Sequence, residues 1–212
     1  MIAIVDYGIG NLGSVGKAFR RLGAECRLAA EGDAMAGADA LVLPGDGAFG
    51  PAMAGLRARG LLGPLAAAVR RGTPLLGICV GMQVLFEESE EHGRHPGLGL
   101  LPGRVRRLPE GGLPVPHMGW NALRPEQPHP LLAGLPEQAH VYFVHSYFCE
   151  AAPEHTLASV DYGRLIAAAV GRGRVLGVQF HPEKSQAVGL ALIRNFLGWA
   201  QAPRGQPCSP SA

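Results

Sequence analysis

Leu75-Leu76-Gly77-Ile78-Cys79-Val80-Gly81-Met82-Gln83 decides the fold: an apolar run ends in G-x-C-x-G and passes at once into a helical stretch, Met82 to Glu88. Strand, tight turn and helix in that order make a nucleophile elbow. Its glycines let the chain bend sharply enough to project the central side chain into a cleft. At a helix N-terminus unpaired amides stabilise a thiolate, and the next amide, that of Val80, is placed to donate to a developing oxyanion. Taken alone, the motif is equally well a buried cysteine between two packing glycines.

Working back toward the N-terminus, Met1 to Val5 is a short apolar, β-branched run and reads as a buried strand. Val15, Ala18, Phe19 and Leu22 recur at helical spacing until Gly23 stops them. Cys26 to Ala29 and Ala40 to Leu43 are further strands, with helical patterns around Ala52 to Leu56 and Leu61 to Val69. Strands alternating with helices predict an α/β domain with a central, mostly parallel sheet flanked by helices. Beyond Pro96 the texture changes to short runs cut by Pro and Gly. They are Arg104 to Leu108, Gly119 to Leu123, Val141 to Phe148, Thr156 to Val160, Ile166 to Val170 and Val175 to Phe180. This C-terminal half reads as antiparallel strands on the same core, making the sheet mixed. Ser185 is the expected N-cap of a last helix whose Val188, Leu192, Phe196 and Trp199 lie on one face. Pro109 to Pro116 reads as a loop, residues 1–201 as one domain and 202–212 as a disordered tail.

Composition narrows the function classes. At 212 residues the chain fits one domain, and 47% hydrophobic residues fill a real core despite 31 Gly and 18 Pro. With 19 Lys+Arg against 17 Asp+Glu the net charge is +2, and the arginines are scattered in pairs, which argues against nucleic-acid binding. The longest run free of charged side chains, Gly72 to Phe86, has 15 residues, short of a membrane span, and no basic region precedes the first apolar run. A cytoplasmic protein is expected. Cys26, Cys79, Cys149 and Cys208 lie at least fifty residues apart with no C-x-x-C pair, so no metal site is expected. Cys26 and Cys149 read as small buried apolar residues.

His181-Pro182-Glu183 changes the weight of the elbow. It follows the run Val175 to Phe180, so it reaches the rim where parallel strands end and where α/β folds bind ligands. Pro182 biases His181 to an extended backbone, which lets Glu183 return to one imidazole nitrogen and leaves the other for Cys79. A turn histidine and a first-turn carboxylate explain each residue singly, but not their joint occurrence with the elbow.

The segments "GICVGMQVLFEESEE" and "VQFHPEKS" resemble class I glutamine amidotransferases, whose triad is Cys–His–Glu. "DYGIGNLGSV", "PGDGAFG", "PHMGWN" and "YFVHSY" are similar to one branch of them, the glutaminase subunit of imidazole glycerol phosphate synthase, over residues 1 to about 200. The triad motifs alone would leave other amidotransferases open. The resemblance implies release of ammonia from L-glutamine, without a cofactor, and its delivery to a (β/α)8-barrel cyclase subunit in a heterodimer of histidine biosynthesis. It makes Cys79 the nucleophile, His181 the proton shuttle and Glu183 its orienter. It takes oxyanion donors from Val80 and the loop Pro44-Gly45-Asp46-Gly47, where relatives often carry a small apolar residue at the position of Asp46. It further implies Gln83, Glu91, Ser146 and Tyr147 around the substrate, and Asn11, Met118, Trp120 and Lys184 at the partner. The competing reading of Trp120 is core packing.

One motif points elsewhere. Gly8-Ile9-Gly10-Asn11-Leu12-Gly13 fits G-x-G-x-x-G between strand and helix, with Glu31 or Asp33 about 20 residues on, as a dinucleotide-binding reductase or binding module requires. That reading leaves Cys79 and His181-Pro182-Glu183 unexplained.

Overall fold

The computed structural model describes residues 1–109 and 112–202. The first part alternates β1 (Ile2–Val5), α1 (Leu12–Arg21), β2 (Cys26–Ala29), β3 (Ala40–Leu43), α2 (Phe49–Ala58), α3 (Leu62–Arg70), β4 (Leu75–Ile78) and α4 (Val80–Gln83). Short strands follow: β5 (Glu88–Ser89), β6 (His95–Pro96), β7 (Arg104–Arg107), β8 (His117–Ala122), β9 (Arg124–Pro125), β10 (His140–His145) and β11 (Tyr147–Glu150). The chain closes with β12 (Thr156–Asp161), β13 (Leu165–Arg172), β14 (Val175–Val178) and α5 (Gln186–Gln201).

Among the described residues the main sheet has eight strands, in the order β2-β1-β3-β4-β14-β13-β12-β9. β2, β1, β3, β4 and β14 run parallel, and the other three add antiparallel. β1, β3, β4 and β14 are buried at every residue, as strands covered on both faces must be, whereas edge strand β2 exposes Arg27 and Leu28. Helix α1 forms because Val15, Ala18 and Phe19 share its inner face and the Asn11 side chain accepts from the Ser14 amide at 3.0 Å. Phe19 then meets Phe196 of α5 edge to face, centroids 6.3 Å apart. No described helix is long and apolar enough to cross a membrane.

Four expectations are corrected. The helix over Met82 to Glu88 is one turn, Val80–Gln83. Val84, Leu85 and Phe86 are all fully buried, and their carbonyls accept from the amides of residues 98–101 instead of continuing the helix. The run Val141 to Phe148 is two strands in different sheets: β10 pairs with β8, and β11 joins β7, β5 and β6. Ser185 sits at the N-cap position of α5 but does not cap it; its hydroxyl donates to the His181 carbonyl at 2.7 Å and accepts from the Tyr142 amide at 3.0 Å. Cys149 is buried, and burial raises its thiol pKa well above the usual range, but Cys26 is only half-buried, its thiol donating to the Ala24 carbonyl. Cys208, the tail from residue 203, and residues 110 and 111 of the expected loop lie outside the described residues.

Candidate active site

Three adjacent parallel strands, β3, β4 and β14, end at one rim and deliver, respectively, the loop Pro44–Gly47, Cys79, and Gln179 to His181. The registers place Ile78 beside Val178, and the Cys79 amide donates to the Val178 carbonyl at 2.8 Å. Cys79 has φ +54° and ψ −114°, a region that costs a non-glycine residue about 1–3 kcal/mol and persists only where surroundings enforce it. Close packing is the enforcement. A Cβ on Gly81 would lie 1.8 Å from the Leu43 carbonyl oxygen, and one on Gly77 would lie 2.5 Å from that of Gly81. A Cβ on Gly45 would lie 2.2 Å from the Gly81 nitrogen. The glycines of G-x-C-x-G are therefore required by the fit of α4 against β3 and β4.

His181 reaches Cys79 from the next strand. Its Nδ1 lies 2.8 Å from Glu183 Oε1, a contact in which the two side chains are 5% and 1% exposed. Its backbone amide is fixed by the Tyr142 carbonyl at 2.9 Å. Burial, the largest influence on the ring, favours the neutral form, but hydrogen bonding and charge from Cys79 and Glu183 outweigh it and push the pKa up to about 10. Since Nδ1 is turned to Glu183, Nε2 is the nitrogen left for the thiol. Nε2 and the second Glu183 oxygen are buried without another hydrogen-bond partner.

Sequence reasoning passes over two residues near Cys79, and one of them, Gln179, completes this wall. Gln179 is fully buried, and its Nε2 donates to Cys79 Sγ at 3.8 Å. The same side chain accepts at Oε1 from Gln83 Nε2 at 3.2 Å. Gln83 Nε2 also donates to the Tyr147 carbonyl at 3.0 Å, which brings Gln83 and the Tyr147 backbone into the same hydrogen-bonded group as Gln179. Ser146 lies between β10 and β11 with its carbonyl accepting from Leu108, and no hydrogen bond joins it to the triad. A lone amide in the apolar run Val175 to Phe180 was the available signal for Gln179.

The opposite wall is the loop Pro44-Gly45-Asp46-Gly47. Tyr7, the other residue missed, donates its hydroxyl to the Pro44 carbonyl at 2.5 Å. Burial, followed by the nearby Cys79 and Asp46, raises its phenol far above the usual range. At the far end Glu91 Oε2 accepts from the Phe49 amide at 2.6 Å, capping α2, so this carboxylate anchors the loop. Between the anchors, Asp46 and Gly47 are exposed, and Asp46 Oδ1 accepts from the Gly47 amide at 3.0 Å.

The proposed partner residues form a surface rather than a core. Met118 is 62% and Trp120 47% exposed, which decides against packing of Trp120 in the interior. Trp120 packs edge-on to Tyr142, and Lys184 Nζ lies 5.9 Å from the Tyr142 ring, so β8, β10 and the turn after His181 carry one continuous stripe. Asn11 is exposed at the start of α1, where Gly10 packs on Pro44. The glycines at 8 and 10 both have positive φ and serve this close approach; Arg59, paired with Asp6, lies across Gly8. A cavity of about 610 Å3 lined by Phe148, Arg164 and Ile166 opens elsewhere and includes none of the triad.

Comparison with known proteins agrees with this geometry. The family model for glutamine amidotransferase class-I matches residues 3–198. "Imidazole glycerol phosphate synthase subunit HisH" of Symbiobacterium thermophilum is 53% identical over 196 residues, covering 92% of each chain. The protein of the same name from Geobacillus kaustophilus is 53% identical over 206 residues, covering 94% of this chain and 97% of its own. A solved structure described as a glutamine amidotransferase superposes with TM-score 0.76 at 26% identity, covering 95% of this chain and all of that one. The fold expectation therefore stands, the dinucleotide reading of Gly8 to Gly13 is replaced, and the chain belongs to the class-I glutamine amidotransferases, an enzyme in the branch of relatives named imidazole glycerol phosphate synthase subunit HisH.

Proposed function

We propose that this chain, as a single amidotransferase domain over residues 1–201, hydrolyses L-glutamine through Cys79, His181 and Glu183. It passes the ammonia to the cyclase subunit of imidazole glycerol phosphate synthase. The observation that carries the reading is the strained elbow holding Cys79 beside an imidazole fixed by Glu183 at 2.8 Å. In the first step the Cys79 proton moves to His181 Nε2 and sulfur attacks the carboxamide carbon. His181 returns that proton to the departing nitrogen, because amide ion is too poor a leaving group, and ammonia leaves a thioester on Cys79. Water then attacks with loss of its proton to His181, which protonates sulfur as glutamate departs. Val80 and a peptide of the loop Gly45-Asp46-Gly47 donate to the oxyanion in both halves. Glu183 orients the ring and stabilises its charged form. Gln83, Glu91, Ser146 and Tyr147 surround the substrate. Neither metal nor cofactor is needed for these steps.

Neutral ammonia is protonated quickly in bulk water, so delivery favours a partner docked over the triad's own rim. Asn11, Met118, Trp120 and Lys184, together with Tyr142, supply that surface, with Trp120 as aromatic anchor. The partner is the (β/α)8-barrel cyclase in a heterodimer, and the setting is the cytoplasm, where the free thiols of Cys79 and Cys149 persist. The test is Cys79→Ala. Glutamine hydrolysis should vanish while the assembled synthase still turns over on added ammonium; retained hydrolysis would refute the nucleophile assignment.

A further inference from the structure

A file of hydrogen bonds runs from the exposed strand β8 to the nucleophile. Asn121 Nδ2 lies 3.4 Å from His117 Nε2, and His117 Nδ1 lies 3.1 Å from His145 Nε2. His145 Nδ1 lies 2.9 Å from the Tyr147 carbonyl, which also accepts from Gln83 Nε2; Gln83 donates on to Gln179, and Gln179 to Cys79.

The polarity of this file is fixed at its ends. A carbonyl only accepts, so His145 Nδ1 must carry a hydrogen, and its Nε2 is then the acceptor for a hydrogen on His117 Nδ1. His117 Nε2 must in turn accept, and it faces an amide whose oxygen is already occupied by the Ala122 N–H and whose nitrogen also donates to the Asp161 carbonyl. Every link agrees only if both rings are neutral and both are Nδ1–H tautomers. Their burial favours neutrality, lowering His117 to about 4 and His145 to about 3. The rings are also held mechanically: His117 is stacked between Phe143 and Tyr162, with centroids 4.6 and 3.9 Å away.

At the active end, both amide hydrogens of Gln83 are committed, to Tyr147 and Gln179, which leaves its oxygen as the polar atom available to substrate. The docked end is one residue from Met118 and three from Trp120, the exposed side chains of the same strand.

We propose that His117 and His145 are positioning residues that set the Gln83 amide for glutamine and link that setting to the docking strand. The proposal rests on the reading of Gln83 as substrate-binding and of Cys79 as nucleophile. A displacement of β8 by a partner then moves His117, and the bonded rings carry it to the Tyr147 carbonyl, whose second acceptor site holds Gln83.

The test is glutamine hydrolysis by the full chain in complex with the cyclase subunit, comparing His117→Phe with His117→Asn. Phenylalanine keeps the stack but leaves His145 Nε2 unpaired, so KM for L-glutamine should rise roughly tenfold, the size of one lost hydrogen bond, with kcat changed much less. Asparagine places an amide nitrogen near the lost Nδ1 and should restore KM to within about threefold of wild type. Unchanged KM in His117→Phe, equal impairment in both variants, or a loss confined to kcat would overturn the proposal. Imidazole 15N NMR of the wild-type chain gives a readout independent of variant folding: Nδ1–H on His117 and His145 is expected, and Nε2–H on His145 overturns the file. Cys79→Ala is the control for the reading of Cys79 as nucleophile, which fails if that variant still releases ammonia.

Discussion

The two walls of the catalytic cleft are built on opposite terms. On the Cys79 side, α4 is pressed so closely on β3 and β4 that Gly77 and Gly81 admit no side chain, and a file of bonded amides and imidazoles backs the thiol. On the loop side, Tyr7 and Glu91 pin the ends, while Asp46 and Gly47 project into solvent with nothing within 4 Å of a Cβ on Gly47. Cys79 therefore has one position enforced by packing, whereas Asp46 and Gly47 are not confined in this way. A peptide on the second wall can turn without disturbing the core, and we propose that control of the oxyanion site lies there.

The comparison is broken most severely by exchanging one atom on each side. Gly81→Ala puts a methyl into the Leu43 carbonyl, and several kcal/mol of stability, about 3 or more, should be lost with all glutamine hydrolysis. Gly47→Ala meets no atom and pays only for its positive φ of +83°, about 1–2 kcal/mol. Urea unfolding of both variants checks the ranking; equal losses would show that the walls are not different in kind.

Glu183→Gln comes next. It keeps the size of the side chain but removes the charge that stabilises His181 while the ring carries the proton within each step, so kcat should fall by between about 10² and 10⁴ with little change in KM. His181→Ala should be at least as damaging, because the imidazole moves the protons that Glu183 only stabilises. A silent Glu183→Gln would reduce the triad to a dyad.

Most of the first wall was legible in the sequence because it is local. G-x-C-x-G after an apolar run specifies strand, bend and helix start within five residues, and His181-Pro182-Glu183 carries its own geometry. The second wall and the backing are assembled from afar: Tyr7 lies 37 residues from Pro44, Glu91 lies 42 from Phe49, and Gln179 lies 100 from Cys79. The family resemblance places Glu91 at the substrate, but its hold on α2 depends on a pairing that no periodicity records. The break at Ser146 was equally invisible, since Val141 to Phe148 is uniformly apolar and aromatic apart from His145 and Ser146, and only pairing with β8 and β7 divides it. Helix α4 was overestimated because three successive buried residues resemble a helix until segment 98–101 takes their carbonyls.

A pH titration separates the histidines behind the rigid wall from the one at its front. His117 and His145 are held near 4 and 3 against 6.5 when unfolded, so each takes up a proton on unfolding below pH 6.5. Their stabilising share is complete above pH 6.5 and declines as pH falls toward 4. His181 has the opposite sign: raised to about 10, it contributes fully below pH 6.5 and loses its share as pH rises toward 10. Wild type should thus be most stable near neutrality, and His117→Phe should show a shallower decline between pH 6.5 and 4.5, by up to about 1.4 kcal/mol per pH unit. Identical acid slopes by urea unfolding would mean that these rings are not neutral in the folded chain.

The smallest effect should come from the exposed side of the contrast, at Asp46. Its carboxylate accepts from the Gly47 amide and so fixes the turn from within the loop, independently of Tyr7 and Glu91. Because both groups are exposed, this bond competes with water and is weak, which suits the proposed turning of this peptide by a docked partner. An amide turned toward the oxyanion stabilises the transition state and not bound glutamine, so partner activation should appear in kcat, up to the roughly 10²–10³ that one such donor supplies. Asp46→Val removes the internal tie. The isolated variant should hydrolyse glutamine severalfold faster than the isolated wild type at unchanged KM, and the cyclase loaded with its substrate should accelerate it by a correspondingly smaller factor. Measuring kcat and KM for both chains, alone and with the loaded cyclase, decides the matter. If Asp46→Val changes only KM, or if the isolated wild type is already fully active, the loop is as fixed as the elbow and control resides in the docking stripe of Trp120, Tyr142 and Lys184.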